Sequence, residues 1–163
     1  MNKMRALFKL ICYIGVLLPA TGYAENCPWL NAATAGGVLG GDVTMSVSHA
    51  DAKSTACEFV RQSGTAISSL QISVSTLPGP FAEYLSHTAK CETNATKLIG
   101  VGNEASACVV QGTKGTIAKQ VVGRVRDRAF VIRWTLSTDA ARTNQTASET
   151  LQALAEAVAG SMF

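Results

Sequence analysis

The sequence lacks the features by which many enzymes and nucleic-acid-binding proteins are identified. Only 15% of its residues are charged, 6% are aromatic and two are histidines. No C-x-x-C pair is present to form a tetrahedral metal site, and neither a P-loop nor a complete G-x-G-x-x-G motif is present to bind phosphate. No apolar run reaches the roughly 20 residues that cross a bilayer. The sequence therefore indicates no cofactor, no metal site and no transmembrane segment in the mature chain.

The first 24 residues have the three parts of a secretory signal peptide. Basic residues precede an apolar stretch from residue 10 to 18, and the small residues Gly22 and Ala24 occupy the −3 and −1 positions of a cleavage site. We therefore predict cleavage after Ala24 and a periplasmic or secreted location, with an uncleaved N-terminal anchor as the alternative. The two residues before Cys27 are not small, which argues against a lipoprotein.

The predicted mature chain, residues 25–163, has no net charge. The basic residues of the signal peptide account for the whole formal excess of +3, and they are Lys3, Arg5 and Lys9. Binding to nucleic acid depends mainly on cationic contacts to phosphate, so we expect no nucleic-acid partner. The mature chain contains no internal repeat, low-complexity tract or long linker, and its length is that of one domain. We predict a single domain over residues 25–163.

The cysteines of the mature chain predict a covalent framework. Cys12 belongs to the signal peptide, and the four that remain are Cys27, Cys57, Cys91 and Cys108. An even number of cysteines in an exported chain indicates disulfides, here two. Three pairings are possible, and we favour Cys27–Cys57 with Cys91–Cys108 because each closes a local loop and the two do not cross. Each bond would stabilise the fold by roughly 3–4 kcal/mol.

Three helices are predicted. Asn31 is a suitable N-cap for a short helix over residues 32–39, which the Gly40-Gly41 pair would end. Pro80 suits the first turn of a second helix. The apolar face of this second helix is formed at helical spacing by Phe81, Tyr84, Leu85 and Thr88. A C-terminal helix is indicated by the same spacing of Leu151, Leu154, Ala155 and Val158.

Alternating residues predict the strands. In residues 43–48 the apolar Val43, Met45 and Val47 alternate with polar residues, as in a half-buried strand. Further strands are predicted at residues 57–61, 70–75, 105–111, 117–126 and 128–137, with a loop at 100–104 and a hairpin turn at Asp127. Strands joined by short turns pair antiparallel, and amphipathic helices must cover the sheet. The predicted fold class is α+β, with an antiparallel sheet covered by helices.

Three segments resemble a family of small exported bacterial proteins of unknown function. Residues 27–41 resemble the opening of that family, in which a cysteine, a short helix and a glycine pair precede an antiparallel sheet. Cys57-Glu58-Phe59 resembles its second cysteine beside an aromatic residue, and residues 100–105 resemble its G-x-G-D-E-A loop, with Asn103 in place of the usual acid. These proteins are similar to PsbP-like α/β/α sandwiches, which include extracytoplasmic sensor domains with a ligand cleft. The resemblance implies that fold, although many members are lipoproteins and this chain lacks their lipobox.

Neither histidine predicts a catalytic or metal site. The polar residues near His49 are Ser46, Ser48 and Asp51, and a His-Asp pair beside a serine is the pattern of a hydrolase, but several polar residues in one turn explain the same sequence. Glu83 and His87 are spaced to meet on a helix and to ligate a metal. A solvated helix face explains this pair more simply, so we assign no catalytic and no metal-binding residue.

The strongest surface feature is a run of three arginines, Arg124, Arg126 and Arg128. If residues 124–128 stay extended, the three guanidinium groups share one face, where they would bind a carboxylate or phosphate. Lys119 and Arg133 would lie near the same hairpin. The alternative is that these charges protect the hairpin from edge-to-edge pairing. If Asp127 is the turn, Arg128 crosses to the next strand and the shared face is weakened.

These observations favour an exported binding or interaction module without enzymatic activity. Its ligand or partner would be a small anionic molecule or a cell-envelope protein, bound in a cleft between sheet and helices. A secreted hydrolase and a structural subunit of an envelope complex are the alternative functions.

Overall fold

The structure, a computed structural model, describes residues 26–91, 95–111, 116–136 and 146–163. The predicted signal peptide, residues 1–24, lies outside the described residues. The helices are α1 (Ala32–Leu39), α2 (Phe81–Glu83), which continues as a π-helical turn (Tyr84–Thr88), and α3 (Thr146–Gly160). The strands are β1 (Thr44–Asp51), β2 (Ser54–Ser63), β3 (Ala66–Thr76), β4 (Thr96–Leu98), β5 (Glu104–Gln111), β6 (Ile117–Val125) and β7 (Arg128–Leu136).

The seven described strands form one antiparallel sheet in the order β1-β2-β3-β7-β6-β5-β4. Strands β1–β3 form one meander and β4–β7 a second, and the two meanders join where β3 pairs with β7. Helices α1 and α3 pack on one side of the sheet, the α1/α3 face. The α2 segment, residues 81–88, packs on the other side, the α2 face. The predicted α+β class, with an antiparallel sheet covered by helices, is confirmed.

The main core lies between the α1/α3 face and its two helices. Alternate side chains of the central strands are buried there, namely Leu70, Ile72 and Val74 of β3 and Phe130, Ile132 and Trp134 of β7. The helical spacing predicted for α3 is confirmed, because its buried residues include Leu151, Leu154, Ala155 and Val158. Burial of each large apolar side chain contributes about 1.5–3 kcal/mol, so this layer is the principal source of stability.

The ends of α1 form as the sequence predicts. The Asn31 side chain accepts a hydrogen bond of 2.8 Å from the Thr34 backbone N–H, which satisfies one of the free donors of the first turn. Gly40 ends the helix in the left-handed conformation, at φ 82°, which glycine adopts without steric cost. A feature that the sequence did not predict is Arg61, whose Nη1 donates to the Leu39 carbonyl at 2.9 Å.

Both predicted disulfides are confirmed. Cys27 is bonded to Cys57 and therefore ties the segment before α1 to strand β2. Cys91 is bonded to Cys108 and ties the chain after the α2 segment to strand β5. The first bond lies in the core of the α1/α3 face and the second in the core of the α2 face. Each layer of the fold is thus cross-linked to the sheet once.

The second helix differs from its prediction. We expected one apolar face that included Thr88, but Thr88 is exposed and Ala89 is buried. The reason is the π-helical turn, in which the Ala89 N–H donates to the Tyr84 carbonyl, five residues earlier, at 2.9 Å. A wider turn carries fewer degrees of rotation per residue, so the buried face moves one residue along the chain.

Strand β4 was not predicted. It has three residues, Thr96–Leu98, which pair with β5 from Ala107 to Ala105. Three residues are too few for an alternating pattern to identify a strand. This strand forms one edge of the sheet, and its position defines the candidate site described below. None of the helices in the described part of the chain is long and apolar enough to cross a membrane.

We predict that Gly123→Ala lowers the free energy of unfolding by about 1–3 kcal/mol, the usual cost of overpacking a core. Gly123 lies opposite Phe130 in the β6–β7 pair, and an added Cβ atom would collide with the phenylalanine ring. Thermal or urea unfolding of the oxidised protein measures the change.

Gly37→Ala is the control for this substitution. An added Cβ at Gly37, in helix α1, meets nothing within 4 Å, so alanine should raise stability by about 0.5–1 kcal/mol through its better helix propensity. Equal effects of the two substitutions would contradict the packing that we assign to Gly123.

Candidate ligand-binding cleft

A cleft lies where the sheet extends beyond helix α3. The helix packs over β6 and β7, whereas β5 and β4 continue the sheet past it toward the edge. The residues that β5 turns toward this side are Ala105, Ala107 and Val109, of which Ala107 and Val109 line the cleft. The small side chain of Ala107 leaves space between the sheet and the first turns of α3. The cleft therefore results from the helix position together with a small residue on β5.

The cleft has an apolar floor and a polar rim. Its volume is about 310 Å³, which is at the lower end of the range for ligand pockets, roughly 300–1,000 Å³. The apolar side chains that line it come from the sheet and from α3 and are Leu98, Ala107, Val109, Val121 and Leu151. The polar residues of its rim are Thr96, Lys119, Ser148, Glu149 and Gln152. Gln120 also borders the cleft, but its side chain is turned to the α2 face, where it donates to the Ala89 carbonyl. An apolar surface beside a few polar groups is the usual composition of a small-molecule site.

A polar contact between β6 and α3 crosses the cleft. The Lys119 ammonium of β6 donates a hydrogen bond of 3.3 Å to the Ser148 hydroxyl in the first turn of α3. Glu149, the next residue of the helix, is exposed. A cation and an anion thus lie at the same rim, and the apolar floor lies below them. This arrangement is suited to a small molecule with an apolar body and a polar head group.

The structure separates the three arginines that we considered as an anion site. The β6–β7 hairpin turns at Arg126 and Asp127, because Val125 pairs with Arg128. Arg126 has φ 56°, so residues 124–128 are not extended and the condition for one shared face is not met. By the alternation of the strands, Arg124 lies on the α2 face and Arg128 on the α1/α3 face. Anion binding by these residues stays a prediction.

Two of the three arginines have partners within the fold. Arg124 forms an ion pair with Glu104 at 2.7 Å, and the Arg126 guanidinium lies 5.8 Å from the centre of the Phe163 ring. The surface pair is worth at most about 1 kcal/mol. Lys119 and Arg133 do not join this group, since Lys119 pairs with Trp134 and Arg133 with Gln120, several residues from the turn. The arginines therefore help to hold the hairpin end of the sheet.

The loop that resembles G-x-G-D-E-A supports the same hairpin. Gly100 and Gly102 have positive φ angles of 83° and 58°, so the loop folds back on itself. The Asn103 side chain accepts a hydrogen bond of 2.7 Å from the Arg126 backbone N–H, and the Asn103 N–H donates to the Arg124 carbonyl at 2.8 Å. This loop is therefore structural in the described chain, and its Asn103 acts as a cap for the turn.

The histidines lie apart from the residues with which they would react. His49 Nδ1 is 2.9 Å from the Thr55 hydroxyl, and strand alternation places both on the α1/α3 face. Ser46 and Ser48 lie on the opposite face of β1, and Asp51 instead accepts a hydrogen bond from the Lys53 N–H at 2.7 Å. The hydrolase arrangement that we considered around His49 is not formed.

Glu83 and His87 line a small surface pocket of about 200 Å³ beside two prolines, Pro78 and Pro80. Both side chains are exposed. Among the described residues, no three histidine, cysteine, aspartate or glutamate side chains are grouped so as to hold a metal ion.

The cleft residues were missed by the sequence reasoning for two reasons. The cleft depends on strand β4, which was not predicted, and on the position of α3 over β6, which no local pattern encodes. The one available signal was the pair of small residues Ala105 and Ala107 on one face of a predicted strand, and of the two it is Ala107 that lines the cleft.

Comparison with known proteins adds no assignment. No protein-family model, no curated protein and no solved structure matches the chain. The resemblance to PsbP-like proteins stays a prediction, and any function must be argued from the residues themselves.

We predict that Asn103→Ala lowers the free energy of unfolding by about 1 kcal/mol, because the Arg126 N–H loses its acceptor. Amide hydrogen exchange at Arg126 should become faster in the same variant. Asn103→Asp keeps an oxygen acceptor in the same position and should retain both stability and protection. If the alanine and aspartate variants behaved alike, the side-chain hydrogen bond would not be what holds the turn.

Proposed function

We propose that the protein is an exported binding module that holds a small amphipathic molecule in the cleft between α3 and strands β4–β6. The observation that carries the proposal is the cleft itself, about 310 Å³ in volume, with apolar side chains on its floor and hydrogen-bonding groups at its rim. The hydrolase alternative has no comparable support, because His49 and the serines of β1 lie on opposite faces. No enzymatic step is assigned to the cleft.

The proposal of export rests on two independent features. The N-terminal sequence has the layout of a signal peptide, and two disulfides cross-link the fold. Disulfides persist in oxidising compartments such as the periplasm and the extracellular space. Both features favour a periplasmic or secreted protein.

We also propose that the fold is a PsbP-like α/β/α sandwich. Helices on both faces of one antiparallel sheet support this proposal, as do the three segments that resemble the family. In such a sandwich a ligand cleft between helix and sheet is the expected location for binding. Since fold similarity does not transfer an activity, the cleft must be tested directly.

The direct test is to fill the cleft. Ala107 lies on the floor and is half-buried, so Ala107→Trp would occupy much of the volume available to a ligand. We expect protein purified from its own host to carry an additional small-molecule mass in native mass spectrometry, and we expect the Ala107→Trp variant to have lost it. A tryptophan at a ligand position excludes the ligand by overlap.

Ala56→Trp is the matched control, because Ala56 is also a half-buried alanine in a strand but lies on the α2 face of β2. This variant should retain the bound mass. Retention of the bound mass by Ala107→Trp, with unfolding curves that show both variants folded, would contradict the assignment of the cleft.

A second measurement tests export. We expect the intact mass of protein recovered from the host envelope or medium to begin at Glu25 and to be about 4 Da lighter than the reduced chain, since each of two disulfides removes two hydrogens. A mass that still includes residues 1–24, or one without the disulfide difference, would contradict export through cleavage after Ala24.

A further inference from the structure

The α2 face of the sheet carries a polar row that crosses four strands. Consecutive partners in the strand pairing are Ser46 of β1, Glu58 of β2, Gln71 of β3 and Arg133 of β7. The core on this face is formed by β5–β7 and the α2 segment. Among the described residues, no helix covers β1–β3 on this face. The row is thus accessible along most of its length.

A hydrogen bond to a buried glutamine holds Arg133 in one orientation. Its Nε donates a hydrogen bond of 2.9 Å to the Gln120 Oε1 of the neighbouring strand. Gln120 is fully buried, and its amide nitrogen donates to the Ala89 carbonyl at 2.8 Å. A buried amide whose two ends are both engaged has little freedom to move. The guanidinium plane is therefore oriented before any ligand arrives.

The outer edge of the same guanidinium is available. The Nη atoms of Arg133 form no hydrogen bond or ion pair with any described residue, and they are not among the buried polar atoms without partners. Since Nε is already engaged, a carboxylate would bind end-on to the two Nη atoms. Two parallel N–H···O bonds of this kind give strength and fix the plane of the bound group.

Glu58 supplies the opposite charge on the row. Its side chain is exposed, and it has no ion-pair or hydrogen-bond partner among the described residues. Gln71 lies between Glu58 and Arg133, with hydrogen-bonding capacity and no charge. The row therefore presents an anion, a neutral amide and a cation in order, and its net charge is zero.

We propose that this row is a binding site for a small zwitterion that carries a carboxylate and an ammonium group. The carboxylate binds the Nη edge of Arg133, the ammonium binds Glu58, and Gln71 contacts the atoms between them. A simple anion would bind Arg133 and leave the charge of Glu58 unpaired. A simple cation would bind Glu58 and leave the charge of Arg133 unpaired. A ligand with both charges satisfies both ends of the row.

The strand spacing limits the length of such a ligand. Neighbouring strands are about 4.8 Å apart, so the Cα atoms of Glu58 and Arg133, two strands apart, are separated by roughly 10 Å. Side chains of a strand stand roughly perpendicular to the sheet, and with both charged groups above their own strands and a contact of about 3 Å at each end, the two charges of the ligand would be roughly 4 Å apart. This separation is that of a short unbranched amino acid rather than of a long peptide.

The experiment is a titration of the ¹⁵N-labelled, oxidised protein with β-alanine and with propionate, which has the same carbon chain without the ammonium group. The Arg133 Nε–H resonance reports the arginine directly. We expect saturable shifts, and a dissociation constant for β-alanine at least about tenfold below that for propionate, the contribution of one charge-assisted contact. Glycine, 4-aminobutyrate and 6-aminohexanoate define the length preference, and 6-aminohexanoate should bind more weakly than β-alanine.

Two substitutions test the two ends of the row, Glu58 and Arg133, independently. Glu58→Gln should bring β-alanine and propionate to within about twofold of each other, because only the ammonium contact is lost. Arg133→Gln should remove saturable binding of both. Arg128→Gln is the charge-matched control, since Arg128 is an exposed arginine of the same strand on the opposite face, and it should bind as the unchanged protein does.

Equal affinities for β-alanine and propionate in the unchanged protein would overturn the proposal, as would the absence of a saturable shift with every member of the series. Equal losses in the Arg128→Gln and Arg133→Gln variants would also overturn it. The row and the cleft are on opposite faces, so Ala107→Trp should bind β-alanine normally. The failure of one site is therefore distinguishable from the failure of the other.

Discussion

Strands β3 and β7 pair from Ser69–Thr135 to Thr76–Arg128, and among the described strands this is the pairing that joins the two meanders. It brings together residues that are about sixty positions apart in the chain, whereas both disulfides and the other strand pairs connect nearer segments. The apolar sides of the two strands form the centre of the core, where Ile72 lies opposite Ile132 and both are fully buried. Closing so long a loop costs conformational entropy before the pairing stabilises anything, so formation of this central pair is the step that unites the fold.

The two binding sites proposed here follow from that central pairing in different ways. Helix α3 follows β7 in sequence and packs beside it, over β6 and β7, which leaves the outer strands β5 and β4 uncovered and creates the cleft. On the other face, the register of the pairing sets Gln71 beside Arg133. A shift of one residue in this register would turn Arg133 into the core and Trp134 toward solvent. The apolar core thus fixes the polar row, because the same register determines both.

Much of the fold was predictable because its signals are local. The N-cap at Asn31, the glycine after α1 and the alternating strands each depend on residues within one or two turns, and the structure agrees with them. The π-helical turn was not predictable. The order of residues from Tyr84 to Ala89 is compatible with an α-helix and with a π-helix, and no residue type in it marks the wider turn. The arginine run illustrates a different difficulty, because a single turn at Arg126 moves Arg128 to the opposite face. A cleft between sheet and helices was expected, but the residues of the two sites were not identified, since both sites depend on which strands are neighbours, and no single segment encodes the order of the sheet.

Gln120 is the residue that links the packing of the α2 face to the proposed polar row. It is fully buried and polar, and its neighbours in the core of the α2 face are mostly apolar. An aliphatic residue at this position would leave the Ala89 carbonyl without its side-chain donor, at a cost of roughly 1–3 kcal/mol. It would also remove the acceptor that the Gln120 Oε1 provides to the Nε of Arg133 at 2.9 Å. One buried amide therefore satisfies a backbone carbonyl beside the α2 segment and orients the guanidinium of the polar row, so the orientation of Arg133 depends on the packing of the α2 face.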